Sequence, residues 1–162
     1  IAESNAKSLA RAGVGMAIKQ GAPVPDISEP DGFNKALLAA RAIAYIDPAS
    51  GGSSGIYVAQ LFQQMGIADQ LKPKSVLVQG GLAAERIVDG KADVALQQSS
   101  ELMGMPGVQF VGPIPLMLQN YTIYSGGVSV ASHNRAAADA LLLALANPEN
   151  GKILKSKGLD SP

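Results

Sequence analysis

DPASGGSSGIYVAQLF, residues 47–62, joins a short apolar run, Ile43 to Ile46, to an amphipathic pattern that continues to about Met65 and is closed by Gly66. Glycine and serine this dense are costly to order, because glycine loses more backbone freedom on folding than any other residue. A strand that feeds a glycine-serine turn and then a helix is the unit from which α/β folds are assembled. The same order recurs downstream. A strand is expected from Ser75 to Gln79, then Gly80-Gly81, a helix from Leu82 to Asp89 closed by Gly90, a strand from Asp93 to Gln97, and a helical turn from Ser99 to Met103.

On either side of this block, VGMAIK at 14–19 reads as a strand, and Ser28-Glu29-Pro30-Asp31 opens a helix with proline in its first turn. Val108 to Val111, Tyr121 to Tyr124 and Gly127 to Ala131 read as further strands, and Asn134 to Ala146 and Pro148 to Lys157 as closing helices. The fold class is therefore α/β, with a mainly parallel sheet flanked by helices.

Composition narrows the function. The 162 residues are 47% hydrophobic and 16% charged, a globular balance at the size of one ordinary domain. Thirteen basic and thirteen acidic residues form no run of either sign, so the electrostatic footprint of a nucleic-acid or membrane-surface binder is missing and small molecules are the expected partners. Cysteine is absent, which excludes disulfides, thiolate metal sites and cysteine nucleophiles. No His, Asp or Glu pattern has metal-ligand spacing, and neither a metal nor an organic cofactor is expected. The longest apolar stretch, Ala36 to Ile46, contains Arg41 and falls short of the ~20 residues of a membrane span, so no membrane insertion is expected. The first residues, IAESNAKSLARAG, lack the apolar core of a signal peptide.

Two nucleotide motifs fail. A phosphate-binding loop ends in Gly-Lys-Ser/Thr, whereas GGSSG has no lysine, and GVGMAI at 13–18 lacks a third glycine. What remains are three strand ends that carry neutral donors. In open α/β sheets ligands sit beyond the carboxyl ends of strands, where helix amino ends hold unpaired N–H groups and about half a positive charge. Ser50, Ser53 and Ser54 supply hydroxyls at the first strand end, Gly80, Gly81 and Leu82 supply amides at the second, and Gln97, Gln98 and Ser99 supply amides and a hydroxyl at the third. Such groups bind oxygen atoms without a full countercharge. The alternative for each is a capping or loop-ordering role.

Several residues invite a sharper role. His133, the lone histidine, lies between a strand and a closing helix, where an exposed capping role is the plainer reading. Asp47 precedes Pro48 and is expected to tie the loop down by accepting backbone N–H groups. Glu85 beside Arg86 reads as a surface pair. Glu101 follows the glutamine-serine run and either anchors the turn or acts as a base. Tyr57 either packs one turn into its helix or reaches a cleft with its hydroxyl as an acid.

The sequence resembles the periplasmic solute-binding proteins of the molybdate-binding type. The likeness lies in VGMAIKQGAPVPDIS, DPASGGSSGIYVAQLFQQMGIAD, the stretch through GKADVALQQSSEL to VGPIP, and the closing KILKSKGL, with Asp47-Pro48 and Gly55-Ile56-Tyr57 its most specific part. It implies a type II periplasmic binding fold. Residues 20–120 would form the ligand-binding second lobe, and 1–19 with 121–162 the strands that cross between lobes and the returning part of a first lobe. Full members carry a longer amino-terminal part that this sequence lacks.

The resemblance further implies an exported, periplasmic protein that clamps a small anion and delivers it to the membrane subunit of an ABC transporter, with ligand contacts at Ser54, at the amides of Gly80 to Leu82 and at the end of the strand near Gln97. A tyrosine expected near Gln97 is replaced by Gln97-Gln98, which leaves a molybdate-like oxyanion and a small carboxylate both open as ligands. The same broad family contains a periplasmic aconitate isomerase. That makes isomerisation of a small tricarboxylate the alternative function, with Glu101 and Tyr57 as its candidate catalytic residues.

Overall fold

The computed structural model describes residues 6–162. The first five residues of the expected 1–19 segment lie outside that range. Contacts divide the chain into two compact units, Gly13–Asn120 and a smaller one made of residues 6–12 with Tyr121–Pro162.

The larger unit is organised around β2 (Ile43–Ile46), whose four residues are all buried. It lies between β3 (Ser75–Val78) and β4 (Val94–Gln98), parallel to both, with Ile43 opposite Ser75 on one side and Val94 on the other. This parallel core is joined by a long first strand, β1 (Lys7–Lys19), antiparallel to β4 with Val14 opposite Gln98. On the far side of β1, β5 (Val108–Pro113) is also antiparallel, with a register irregularity between Met16 and Ala17. The order is β3-β2-β4-β1-β5, so the sheet is mixed around a parallel core.

Because successive strand residues point to opposite faces, the two faces can be read from alternation. Met16, Ile18, Ile43, Tyr45, Val94 and Leu96 fill one face. It is covered by Phe33 and Leu37 of α1 (Pro30–Ala39), Val58, Leu61 and Phe62 of α2 (Ser53–Gln64), and Leu71 of α3 (Ala68–Leu71). Tyr45 meets Phe62 edge-on with ring centres 5.5 Å apart. The centre of the opposite face is alanine, with Ala17, Ala44 and Ala95 packed against Ala83 and Ala84, Ile87 of α4 (Glu85–Val88) and Leu102 of α5 (Ser99–Leu102), and half-buried Val76, Val78, Val108 and Phe110 lie at its margins. Small side chains let a bare turn, rather than a long helix, lie directly on the sheet.

In the smaller unit β6 (Tyr121–Gly126) pairs with β1, and Arg11 exchanges both backbone hydrogen bonds with Asp160. The Arg11 guanidinium stacks 4.6 Å from the centre of the Tyr121 ring. Two helices, α6 (Arg135–Leu145) and α7 (Gly151–Ser156), close the chain.

Three local expectations change. The strand expected at residues 127–131 is absent: the Ser129 hydroxyl accepts the Ala131 N–H and its carbonyl accepts that of Ser132, so the backbone turns instead of pairing. The helix expected from Leu82 contracts to α4, because residues 82–86 are tied by bonds of three-residue span, Glu85 N–H to Leu82 and Arg86 N–H to Ala83. β1 starts seven residues before Val14.

Candidate functional site

The carboxyl ends of the three parallel strands lie side by side, and their loops are tied to one another by side chains. Asp47 follows β2. One of its carboxylate oxygens accepts the Ala49 N–H at 2.9 Å, the other accepts the Gln79 amide at 2.6 Å from the neighbouring strand end, and its own N–H donates to Val78 at 2.8 Å. The loop-ordering role expected of Asp47 is what the structure shows. Ser50 spends its hydroxyl on the Asp47 carbonyl at 2.7 Å, within the same turn.

Gly51 then takes a left-handed conformation (φ 82°), and Gly52 is the extended residue before α2. At Gly55 the helix runs so close to the strand that a Cβ would stand 2.1 Å from the Ile46 carbonyl oxygen. Only glycine permits that approach. The amino end of α2 therefore sits directly over the end of β2. Its N-cap residue, Gly52, has no side chain to cap it and its first turn carries no acidic residue, so the helix dipole there favours a negatively charged acceptor. Ser53 is exposed there, whereas Ser54 is buried.

Gln97 and Gln98, adjacent on β4, point to opposite faces and so serve different loops. Gln97 is 2% exposed. Its oxygen accepts the Ala83 N–H at 2.8 Å and its nitrogen donates to the Gly81 carbonyl at 3.0 Å, which clamps the second loop onto the alanine face. Gln98 donates to the Ser53 hydroxyl at 2.9 Å and so joins the third strand end to the start of α2. Ser99 donates to the Gly13 carbonyl at 3.1 Å and fastens α5 to β1. Gly80 and Gly81 stay exposed, with open space where a Cβ would lie, and Gly81 has φ 83°.

The nine sequence candidates thus gather at one sheet edge in two groups. Ser53, Ser54, Gln98 and the amides of Gly80, Gly81 and Leu82 line the loops. Ser50, Gln97 and Ser99 hold the loops in place with their side chains. Two ties escaped the sequence reading. Gln79 pairs with Asp47, and the Gln119 amide brackets Val14 by accepting its N–H at 2.7 Å and donating to its carbonyl at 2.9 Å. No local pattern marks a partner 105 positions away.

Tyr57 is half-buried and its hydroxyl donates to the Leu118 carbonyl; burial raises its pKa above the usual tyrosine value. Glu101 is raised above the usual glutamate value by burial, against the opposing pull of hydrogen bonds from the Gln97 side chain and the Gln98 N–H. His133 is exposed, and the capping at the start of α6 falls to its neighbour Asn134, which accepts the Ala137 N–H. Arg86 pairs more closely with Asp89, at 2.9 Å, than with Glu85 at 3.4 Å.

Segments 47–55, 79–84 and 97–101 contain no lysine or arginine. Among the described residues no group of three or more His, Cys, Asp or Glu could hold a metal ion, and no helix is long and apolar enough to cross a membrane. A surface cavity of about 410 Å³ in the larger unit is lined by residues 24–28 and 111–116 and by none of these loops.

Comparison with known proteins agrees with this architecture. Residues 1–160 match the family described as bacterial extracellular solute-binding protein. A curated relative, aconitate isomerase from Pseudomonas sp, is 35% identical over 160 residues, which is 98% of this chain and 60% of the relative; the chain thus spans about three fifths of that protein's length. Among solved structures, a substrate-binding domain assigned to a molybdenum ABC transporter of Clostridium difficile superposes with TM-score 0.79 at 20% identity, over 100% of this chain and 69% of that one. PEB3 of Campylobacter jejuni bound to L-phospholactate superposes with TM-score 0.69 at 16% identity, over 98% and 69%. At such identities the likeness is one of fold. Together with the full-length family match, it places this chain among the bacterial extracellular solute-binding proteins.

Proposed function

We propose that the chain is the ligand-binding portion of a periplasmic protein that captures a small anion and passes it to the membrane subunit of an ABC transporter. The observation that carries this reading is the acid-free amino end of α2, held against the end of β2 by the close approach of Gly55, beside two further strand ends with neutral donors and no cation. Ser53, Ser54, Gln98 and the amides of Gly80, Gly81 and Leu82 contact the anion, while Asp47, Gln97 and Ser99 hold them in place. Residues 20–120 act as one lobe, and the flanking segments belong to the crossing strands and the other lobe.

The ligand class is a small carboxylate or an oxyanion of similar size. Oxygen atoms of either geometry satisfy N–H groups at a helix start. The test is a thermal-shift screen with molybdate, tungstate, sulfate, phosphate and aconitate, in which a bound ligand stabilises the fold by mass action. Ser53→Ala combined with Ser54→Ala should weaken the responding ligand by about 0.5–1.5 kcal/mol per hydroxyl. Unchanged affinity in the double variant defeats the assignment.

A second reading, isomerisation of aconitate, is favoured by the relative of that name at 35% identity. It needs a base and an acid, each within about 3 Å of a substrate proton. Glu101 and Tyr57 are the candidates here, but the Tyr57 hydroxyl is already bonded to Leu118, which favours binding over turnover. Incubation with cis- and trans-aconitate, followed by chromatography, separates the two readings. Interconversion that disappears in Glu101→Gln would establish the enzyme.

A further inference from the structure

Glu101 is the single carboxylate in the run that carries Gln97, Gln98 and Ser99, and none of the ties described above depends on its charge. Its Oε2 is sealed from water and has no hydrogen-bond partner. α5 packs on β4 and β5, and neither VALQQ nor VQFVGP contains a titratable residue. It also touches β1 through Ser99 and Gly13, where the nearest charged residue, Arg11, stacks on Tyr121, and it shares a cluster with Ile87 of α4, whose Arg86 is paired with Asp89 and Glu85. The partners that favour the ionised form are the neutral Gln97 side chain and the Gln98 N–H, and burial outweighs them. An unpaired carboxylate oxygen in such surroundings is relieved by a proton.

The strand-end loops likewise offer neutral donors and no cation, so a bound anion adds a second negative charge close to the first, and Gln98 connects the two places. It contacts Glu101 through its backbone and Ser53 through its side chain. We infer that anion capture at these loops is coupled to protonation of Glu101, so that the chain takes up one proton from solvent with its ligand and Glu101 acts as a positioning residue in its acid form. This rests on the anion-binding reading above. The direction follows from linkage. With Glu101 already neutral at low pH, binding meets no opposing charge; as pH rises through its raised pKa, binding must either take up a proton or tolerate two like charges, and affinity falls, by at most about tenfold per pH unit for one proton.

The test is isothermal titration of the parent and Glu101→Gln with trans-aconitate and with molybdate, from about pH 5 to about pH 8, in buffers of differing ionisation enthalpy. The variant keeps a neutral side chain of the same shape, and it subtracts the titration of the probe itself. Proton uptake and a pH-dependent affinity in the parent, both lost in the variant, are expected; equal proton uptake in the two proteins overturns the coupling. Failure of both probes to bind at every pH defeats the anion-binding reading for them and the coupling with it. Without any ligand, thermal unfolding across the same range should show Glu101→Gln gaining on the parent as pH rises, and parallel curves would overturn the buried acid, whatever the ligand results.

Discussion

One face of the central sheet in the larger unit is packed with phenylalanine, leucine and methionine under helices of ten and twelve residues, while the other has an alanine centre under a turn and helices of four residues. The first arrangement supplies hydrophobic burial, worth about 1.5–3 kcal/mol per large side chain. The second contributes little area but lets backbone amides lie against the sheet, where Gln97 clamps them. Stability and loop placement are thus divided between opposite sides of the same five strands.

Substitutions can break that division. Phe33→Ala on the bulky face removes a fully buried ring and should cost about 3–5 kcal/mol in chemical denaturation. Ala95→Leu on the opposite face inserts three carbons under Ala83 and Ala84 and should cost about 1–3 kcal/mol. A tolerated leucine there would show that the alanine face is loose and that the turn is not held by close packing.

The adjacent glutamines sharpen the comparison at smaller scale. Gln97→Ala strands a buried N–H at Ala83 and the Gly81 carbonyl, at about 1–3 kcal/mol, whereas Gln98→Ala breaks a bond to an exposed serine, at about 0.5–1.5 kcal/mol. Denaturation of both variants in parallel, giving Gln98→Ala the larger loss, would reverse the roles assigned to them.

Much of this was legible before the structure. Ile43 to Ile46 and the helix after it announce themselves through β-branched residues, a glycine-serine break and 3.6-residue spacing. Asp47 before proline reads as a loop anchor for the same local reason. What stayed hidden depends on contacts distant in sequence. Gln97 looks like a ligand donor in isolation, and only the position of Ala83 shows that its amide is already used. Residues 82–84 look helical by propensity, yet their placement on the alanine face leaves them as a turn. Gly127 to Ala131 alternates like a strand, but the Ser129 hydroxyl offers its backbone a closer partner.

The contact between Gly55 and Ile46 has a consequence for hydrogen exchange. With no side chain between them, the first turns of α2 and the end of β2 leave no gap through which one can move without the other. The hydrogen-bonded amides of the first turns of α2, from Ile56 onward, should therefore exchange with solvent through the same opening event as those of β2, rather than fraying early as exposed helix ends do, so that the start of this helix and the centre of the sheet belong to one cooperative unit.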